Sequence, residues 1–396
     1  MKDLSGQGNE LDDQIILELL RLARATFGMK AGFISQIENG FRVFRYVDTD
    51  ADFEVIKVGQ AGLLGESYCQ LVVEGLLPGF VRDAQQEVAV RDIPATAQIP
   101  VGAHLSVPVT FRDGTLYGTF CCFSNAPAGD AAEKNFALFR SLAHFTAAII
   151  ERRLEGEASS RKRARLQDVI ENRRFTVHYQ PIIRLSENAI IGYEALTRFT
   201  AEPERSPDKW FNEAIDMGVN VELEEQTARL ALEGLDRIPD ELYVSVNLSP
   251  ETILDGRIIE LLERYPLERV VVEVTEHSSV EDYDEVERLI HPLREQGLRL
   301  AVDDAGAGFA SFRHILRLKP DIIKLDSSLV QQIDKDNGIR ALAAALIRFA
   351  DEVGAKVVAE GVETESELAV LRKLNVNKVQ GYLLGRPSPL LPRTPR

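Results

Sequence analysis

Apolar positions along this chain follow two rhythms, and the change falls near residue 174. In the first part, residues 11–27 (LDDQIILELLRLARATF) carry apolar side chains at helical spacing, with Asp12 and Asp13 near the start. Two strand-like runs follow, KAGFISQI and FRVFRYV, and Glu38, Asn39 and Gly40 between them predict a hairpin turn. The segment GESYCQLVVEG predicts a helix, and HLSVPVTF and TLYGTFCCF predict two more strands around Arg112-Asp113-Gly114. Residues 131–172 then predict one long helical stretch, amphipathic over 136–150 and densely charged afterwards.

From residue 174 onward, apolar runs alternate with helical stretches. The runs are FTVHYQPII, AIIGYEALTRF, ELYVSVNLS, RVVVEVTE, LRLAVDD, DIIKLD, KVVAEG and KVQGYLL. Near-continuous apolar strands between helices predict a largely parallel sheet covered on its outside. Eight such runs over about 220 residues favour a (β/α)8 barrel of the TIM type over an open doubly wound sheet. No glycine fingerprint follows the first strand, and Gly306-Ala307-Gly308 lacks the third glycine of a dinucleotide loop.

Composition narrows the function. The length of 396 residues suits two domains, and a formal charge of −16 disfavours a DNA- or RNA-binding surface. The basic cluster Arg161, Lys162, Arg163 and Arg165 reads as a solvated face of a helical connector. The cysteines Cys69, Cys121 and Cys122 form neither a metal finger nor a disulfide framework, which fits a reducing compartment; Cys69 and at least one of the others read as small buried residues. The polar N-terminus and the lack of a run of about 20 apolar residues lead to the expectation of a cytoplasmic protein without membrane association.

Chemistry is concentrated where the strand runs end. Glu194 follows AIIGY, Asn247 follows LYVSV, Glu273 and Glu276 end RVVVEVTE, and Asp303 and Asp304 follow LRLAV. Lys324 follows DII, Glu360 and Glu363 follow KVVA, and Gln380 follows NKV. In a barrel these positions converge on one mouth. Carboxylates packed together repel or take up protons unless cations join them. Oxygen donors without clustered histidine or cysteine suit Mg²⁺ or Mn²⁺ rather than zinc. The pair Asp303-Asp304 allows one carboxylate to bridge two ions, or alternatively to form a turn that caps a helix.

These residues also carry a family resemblance. Glu194-Ala195-Leu196 stands within YEALTRF, and the further blocks YQPI (179–182), VNLS (246–249), EVTE (273–276), DDAGAGFAS (303–311), IKLD (323–326), AEGVE (359–363) and QGYLLGRP (380–387) follow in order. Over roughly residues 165–390 the chain resembles EAL-domain phosphodiesterases. The resemblance implies a modified TIM barrel with one antiparallel strand and hydrolysis of cyclic di-GMP to linear pGpG with two divalent ions; calcium is expected to inhibit, because its looser coordination fits a two-ion in-line site poorly. It implies that Glu194, Asn247, Glu273 and Asp303 hold one metal, and that Asp303, Asp304 and Glu360 hold the second. It gives Lys324 the attacking water, as general base or as positioner, Glu276 the loop after Asp303, and Glu363 and Gln380 the ordering of metal-bound water and substrate; Arg198, Leu196 and Gln180 fall to substrate. Ala305 departs from the phenylalanine common at that position. The alternative is a catalytically silent cyclic di-GMP receptor.

Residues 11–155 resemble a GAF domain, through the helix and hairpin at the start and through AHLSVPVTFRDGTLYGTFCCF. That resemblance implies an α+β sensory and dimerisation domain taking an unknown small ligand or none. The expected organisation is therefore a GAF-like domain (11–155), a helical connector (156–172) and an EAL barrel (173–392). A homodimer is expected through the apolar stripe at 136–150, and no organic cofactor is identified.

Overall fold

Asn39 and Gly40 both take positive φ, 50° and 79°, and turn the chain between β1 (Ala31–Glu38) and β2 (Phe41–Thr49). This is the left-handed pair that a two-residue hairpin requires. The computed structural model describes residues 4–91, 93, 96, 99, 101–274, 283–305 and 315–390, and the chain divides into two units, Met1–Arg161 and Lys162–Arg396.

In the first unit the hairpin joins β3 (Ala61–Leu63), β4 (Phe80–Val81), β5 (Ala103–Thr110) and β6 (Leu116–Ser124) in a sheet of order β3-β2-β1-β6-β5-β4, antiparallel throughout. Helices cover both faces. On one, Ile16 and Leu20 of α1 (Leu4–Thr26) and Phe139 and Ala143 of α4 (Phe136–Glu171) pack on Leu105, Phe120 and Cys122. On the other, Cys69 and Val72 of α2 (Tyr68–Val73) pack on Phe33, Phe44 and Cys121. Strand alternation thus sends the adjacent Cys121 and Cys122 to opposite faces. The stretch expected as one helix over 131–172 is two, because Asn135 ends α3 (Asp130–Lys134) before α4 begins. Asparagine competes for backbone hydrogen bonds and favours such ends.

The second unit is a closed eight-stranded barrel. Its strands are β7 (Phe175–Arg184), β8 (Ala189–Phe199), β9 (Tyr243–Leu248), β10 (Val270–Val274), β11 (Arg299–Ala305), β12 (Ile322–Leu325), β13 (Lys356–Ala359) and β14 (Lys378–Val379), in sequence order with β14 closing on β7. Only β7 runs against its neighbours β8 and β14; the other pairings are parallel. The last strand is shorter than KVQGYLL suggests. A side chain at Gly381 would collide with the backbone of Val362, so the chain passes close over residues 361–363 there instead of extending.

Outward-facing Val244, Val272, Leu300, Ile323 and Val357 belong to one apolar core with Leu232 of α6 (Asn220–Leu232), Ile290 of α9 (Tyr283–Glu295), Leu346 of α10 (Asn337–Glu352) and Leu371 of α11 (Glu365–Lys373). The helices α5 (Pro207–Met217), α7 (Pro250–Asp255) and α8 (Arg257–Leu262) complete the described α-helical layer bounded by these elements. Inside the barrel, Ile182, Tyr243, Val271, Ala301, Ile322 and Val358 form a separate apolar plug. The Tyr243 ring fits because position 192 is glycine: a Cβ there would lie 2.7 Å from it.

Candidate active site

The site stands one pleat above the plug. Side chains alternate across a strand, so the residue two positions beyond an inward one also points inward. Two beyond Val271, Ala301, Ile322 and Val358 come Glu273, Asp303, Lys324 and Glu360; two beyond Gly192 and Tyr243 come Glu194 and Ser245. On the reversed β7 the equivalent position is two before Ile182, which is Gln180, and it pairs in register with Glu194. An apolar floor thus carries a polar ring, and Gln180, Glu194, Ser245, Glu273, Asp303, Lys324 and Gln380 are all buried.

Lys324 is the hub of this ring. Its Nζ, 1% exposed, lies 2.7 Å from Glu273 Oε2, 2.7 Å from Glu360 Oε1, 3.1 Å from Asp303 Oδ2 and 3.4 Å from Glu194 Oε1. Burial opposes its charge, but the surrounding carboxylates outweigh burial and hold the ammonium well above its ordinary pKa. One cation cannot serve them all equally. Burial, reinforced by Glu194 and Asp303, pushes Glu273 up to about 8 against the pull of Lys324. Burial likewise drives Glu360 well above the carboxylate range, with Lys324 again opposing it. Glu194 goes the other way: despite burial, Lys324 and hydrogen bonds from Gln380 Nε2 (2.5 Å) and Asn247 Nδ2 (3.2 Å) keep it below its usual value.

Two carboxylate groups share one member. The ligand atoms of Glu194, Glu273 and Asp303 lie within 4.8 Å of one another, and so do those of Asp303, Asp304 and Glu360. Consecutive strand residues normally face opposite ways, which would send Asp304 outward. It does not go there, because Asp304 has φ +55° and the pairing of β11 with β12 slips between Val302 and Ala305. This left-handed residue, tolerated by aspartate, brings both carboxylates to one side. Ala305, the departure from the phenylalanine common at that position, is buried in the barrel's apolar core.

Two hollows meet at β8. One of about 340 Å³ is lined by Gln180, Glu194, Leu196, Glu360, Glu363 and Gln380, and Glu363 stands exposed at its rim. The other, about 680 Å³, runs from Glu194, Leu196 and Arg198 past Asn247, Asp303 and Asp304 to Phe211 and Ile215 of α5. Arg198 Nη1 donates to Thr197 O at 2.9 Å, while Gln180 accepts from Gln380 Nε2 at 3.0 Å and donates to Gly385 O at 3.2 Å. Glu276 lies outside the described residues.

Two members of the site did not stand out in the sequence. Ser245 belongs to the ring, fully buried, and its Oγ has no hydrogen-bond partner among the described residues; its signal was the alternation Tyr243-Ser245-Asn247. Glu224 on α6 accepts from Ser249 N at 2.8 Å and Ser249 Oγ at 3.0 Å, fixing the end of β9 just beyond Asn247. Nothing in a helix pattern announces that contact.

Comparisons with known proteins follow the same half of the chain. A family model, the EAL domain, matches residues 163–387. The chain is 32% identical over 238 residues to the cyclic di-GMP phosphodiesterase NbdA of Pseudomonas aeruginosa, a match covering 57% of this chain and 30% of that protein. It is 28% identical over 239 residues to the cyclic di-GMP phosphodiesterase PdeF of Escherichia coli, covering 57% and 32%. The chain therefore spans about a third of the length of these curated relatives. Among solved structures it is similar to the PaMucR phosphodiesterase in complex with c-di-GMP, with a TM-score of 0.52 and 28% identity over 58% of this chain and 98% of that one. The FimX EAL domain of Xanthomonas citri, at 21% identity and TM-score 0.53, covers 60% of this chain and 97% of that one and shares its fold. With the motif residues gathered on one barrel mouth and the model covering more than half of its length, the chain belongs to the EAL domain family.

Proposed function

We propose that this chain hydrolyses cyclic di-GMP to linear pGpG. The observation that carries the reading is the pair of carboxylate groups sharing Asp303, set beside two hollows that meet at Glu194 and Leu196. The donor set fits hard divalent cations: its ligand atoms are oxygens, and four of its five carboxylates crowd around the Lys324 ammonium. Glu194, Asn247, Glu273 and Asp303 would hold one ion; Asp303, Asp304 and Glu360 would hold the other. Bound there, two Mg²⁺ or Mn²⁺ ions supply Lewis acidity toward water and the phosphoryl oxygens.

The chain's own groups do the rest. Lys324, set among the ligand carboxylates, contacts the attacking water as a general base or as its positioner. Water adds to phosphorus, the P–O3′ bond breaks, and the departing oxygen takes up a proton. Arg198 meets a phosphate, Leu196 supplies an apolar contact between the hollows, and Gln180, Gln380 and Glu363 order substrate and water from the smaller one. Glu276 is assigned to steadying the loop after Asp303.

Residues 11–155 are assigned as a GAF-like sensory domain that regulates the output, 156–172 as a connector and 173–392 as the catalytic barrel. The antiparallel sheet with helices on both faces supports the first assignment. Leu138 and Phe145 on α4, 48% and 67% exposed, support a homodimer; light scattering that shows only monomer would remove it. Among the described residues no helix is long and apolar enough to cross a membrane.

The deciding experiment incubates the purified chain with cyclic di-GMP and Mg²⁺ or Mn²⁺, separates the products by chromatography, and includes EDTA, calcium-only and Glu194→Ala controls. The proposal expects pGpG only with Mg²⁺ or Mn²⁺ and the native Glu194. Tight binding without turnover would make the chain a receptor instead.

A further inference from the structure

Inside the first unit, polar side chains cluster where a sheet core is usually apolar. Ser35, Ser106, Thr119, Cys69 and Cys121 are each at most 1% exposed. They form a directed chain: Cys121 Sγ donates to Thr119 Oγ1 at 3.2 Å, and Thr119 Oγ1 donates to Cys69 Sγ at 3.1 Å. Ser35 Oγ lies 2.8 Å from the same threonine hydroxyl, and Ser106 Oγ lies 3.1 Å from Cys121 Sγ. The two cysteines therefore share one hydroxyl, with Cys69 at the accepting end. Arg42 approaches Cys69 as a further donor. Its guanidinium lies 4.5 Å from the Phe44 ring centre and 6.0 Å from that of Phe33; among the described residues it forms no ion pair with a carboxylate and its buried Nε has no hydrogen-bond partner. A half-buried guanidinium beside the Cys69 thiol favours its anionic form.

We propose that Cys69 and Cys121 form an oxidisable dithiol, with Cys69 the thiolate that attacks a peroxide and Cys121 the thiol that resolves it. The Cys69 thiolate attacks one oxygen of hydrogen peroxide; the O–O bond breaks, hydroxide leaves, and a sulfenic acid forms. The Cys121 sulfur then attacks the Cys69 sulfur, the S–O bond breaks, and one S–S bond forms. In total two thiols are oxidised and one peroxide is reduced to two waters. The electrostatics agree. The neighbouring Cys121 first, then Arg42 and Thr119, hold the Cys69 thiol down to about 6 against its burial, whereas burial first, then Cys69, raise Cys121 well above its ordinary value. Full burial selects an oxidant the size of water over a bulky disulfide. Cys122 is a control within the chain: it lies in the opposite, apolar core, and burial raises its thiol.

The test treats the full chain with equimolar hydrogen peroxide at neutral pH, denatures it, alkylates with iodoacetamide and measures intact mass and cross-linked peptides. The expected result is a loss of two hydrogens, one alkylated thiol at Cys122, a Cys69–Cys121 linkage, and recovery of all three thiols with dithiothreitol. Glutathione disulfide is expected to leave the folded chain unmodified. In Cys121→Ser, Cys69 is expected to stay as a sulfenic acid that dimedone labels. Arg42→Gln is expected to slow the reaction at pH 7 by up to about thirtyfold, the loss of thiolate if Cys69 returned to an ordinary pKa. Three free thiols after peroxide, a Cys121–Cys122 linkage, or oxidation of Cys122 ahead of Cys69 would overturn the proposal.

Discussion

The Lys324 ammonium lies 2.7 Å from Glu360 Oε1, although one residue sits within a barrel strand and the other just past the end of its neighbour. The contact exists because each is two positions beyond an inward apolar residue, Ile322 and Val358. Lys324 is thus the internal counter-charge of the site. Replacing it with methionine keeps most of the volume and leaves the buried carboxylates without their cation. Removing one partner from a buried ion pair costs roughly 3–5 kcal/mol. Lys324→Met is expected to lower the unfolding midpoint of the second unit in EDTA, with Mg²⁺ restoring part of the loss. Equal midpoints for variant and parent in EDTA would show that the ammonium does not stabilise the ring.

Glu224 acts one step back from the chemistry. It binds the backbone N–H and hydroxyl of Ser249, and Ser249 Oγ in turn accepts from Thr252 N at 3.2 Å at the start of α7. Glu224→Ala leaves a buried N–H unpaired, which costs about 1–3 kcal/mol. It also frees the strand end that holds Asn247. Glu224→Gln keeps an acceptor in place and is expected to recover most of the stability. If the role is positioning, the alanine variant will need more Mg²⁺ for half-maximal turnover than the glutamine variant does. A shared metal requirement would limit Glu224 to a purely structural part.

The barrel and most of the ring were legible because both rest on periodicity. An apolar run that ends in one polar residue, as in DIIK or RVVVE, states the strand, its inward face and the polar layer together. What was hidden depends on contacts distant in sequence or on local backbone. The reversal of β7 left no trace in its apolar pattern and came from the resemblance. Asp304 was named as a candidate ligand, but the left-handed φ that turns it to the site was not legible, since a strand pattern argues against it. Cys69 reads as an ordinary buried thiol until folding sets Arg42, Thr119 and Cys121 around it. Ser245 hid among valines, since a small hydroxyl costs a strand pattern nothing.

His104 offers a pH test confined to the first unit. It is 3% exposed, its ring centre is 4.6 Å from that of Tyr68, and its buried Nδ1 lacks a hydrogen-bond partner among the described residues. Burial first, and the Arg42 charge second, push its pKa down to about 3. The folded unit therefore holds His104 neutral, while the unfolded chain protonates it below about 6.5. More protons bind to the unfolded state in that window, so stability falls as pH drops from about 6.5 toward 3. By linkage the loss from this residue is about 2 kcal/mol at pH 5. His104→Phe keeps a ring against Tyr68 and removes the titration. Denaturant melts of parent and variant at pH 7.5 and pH 5 give the difference in slope directly, because any constant packing effect of phenylalanine cancels. The parent is expected to lose more stability than the variant between these two values. An identical loss in both would mean that His104 is hydrated or already charged in the folded unit.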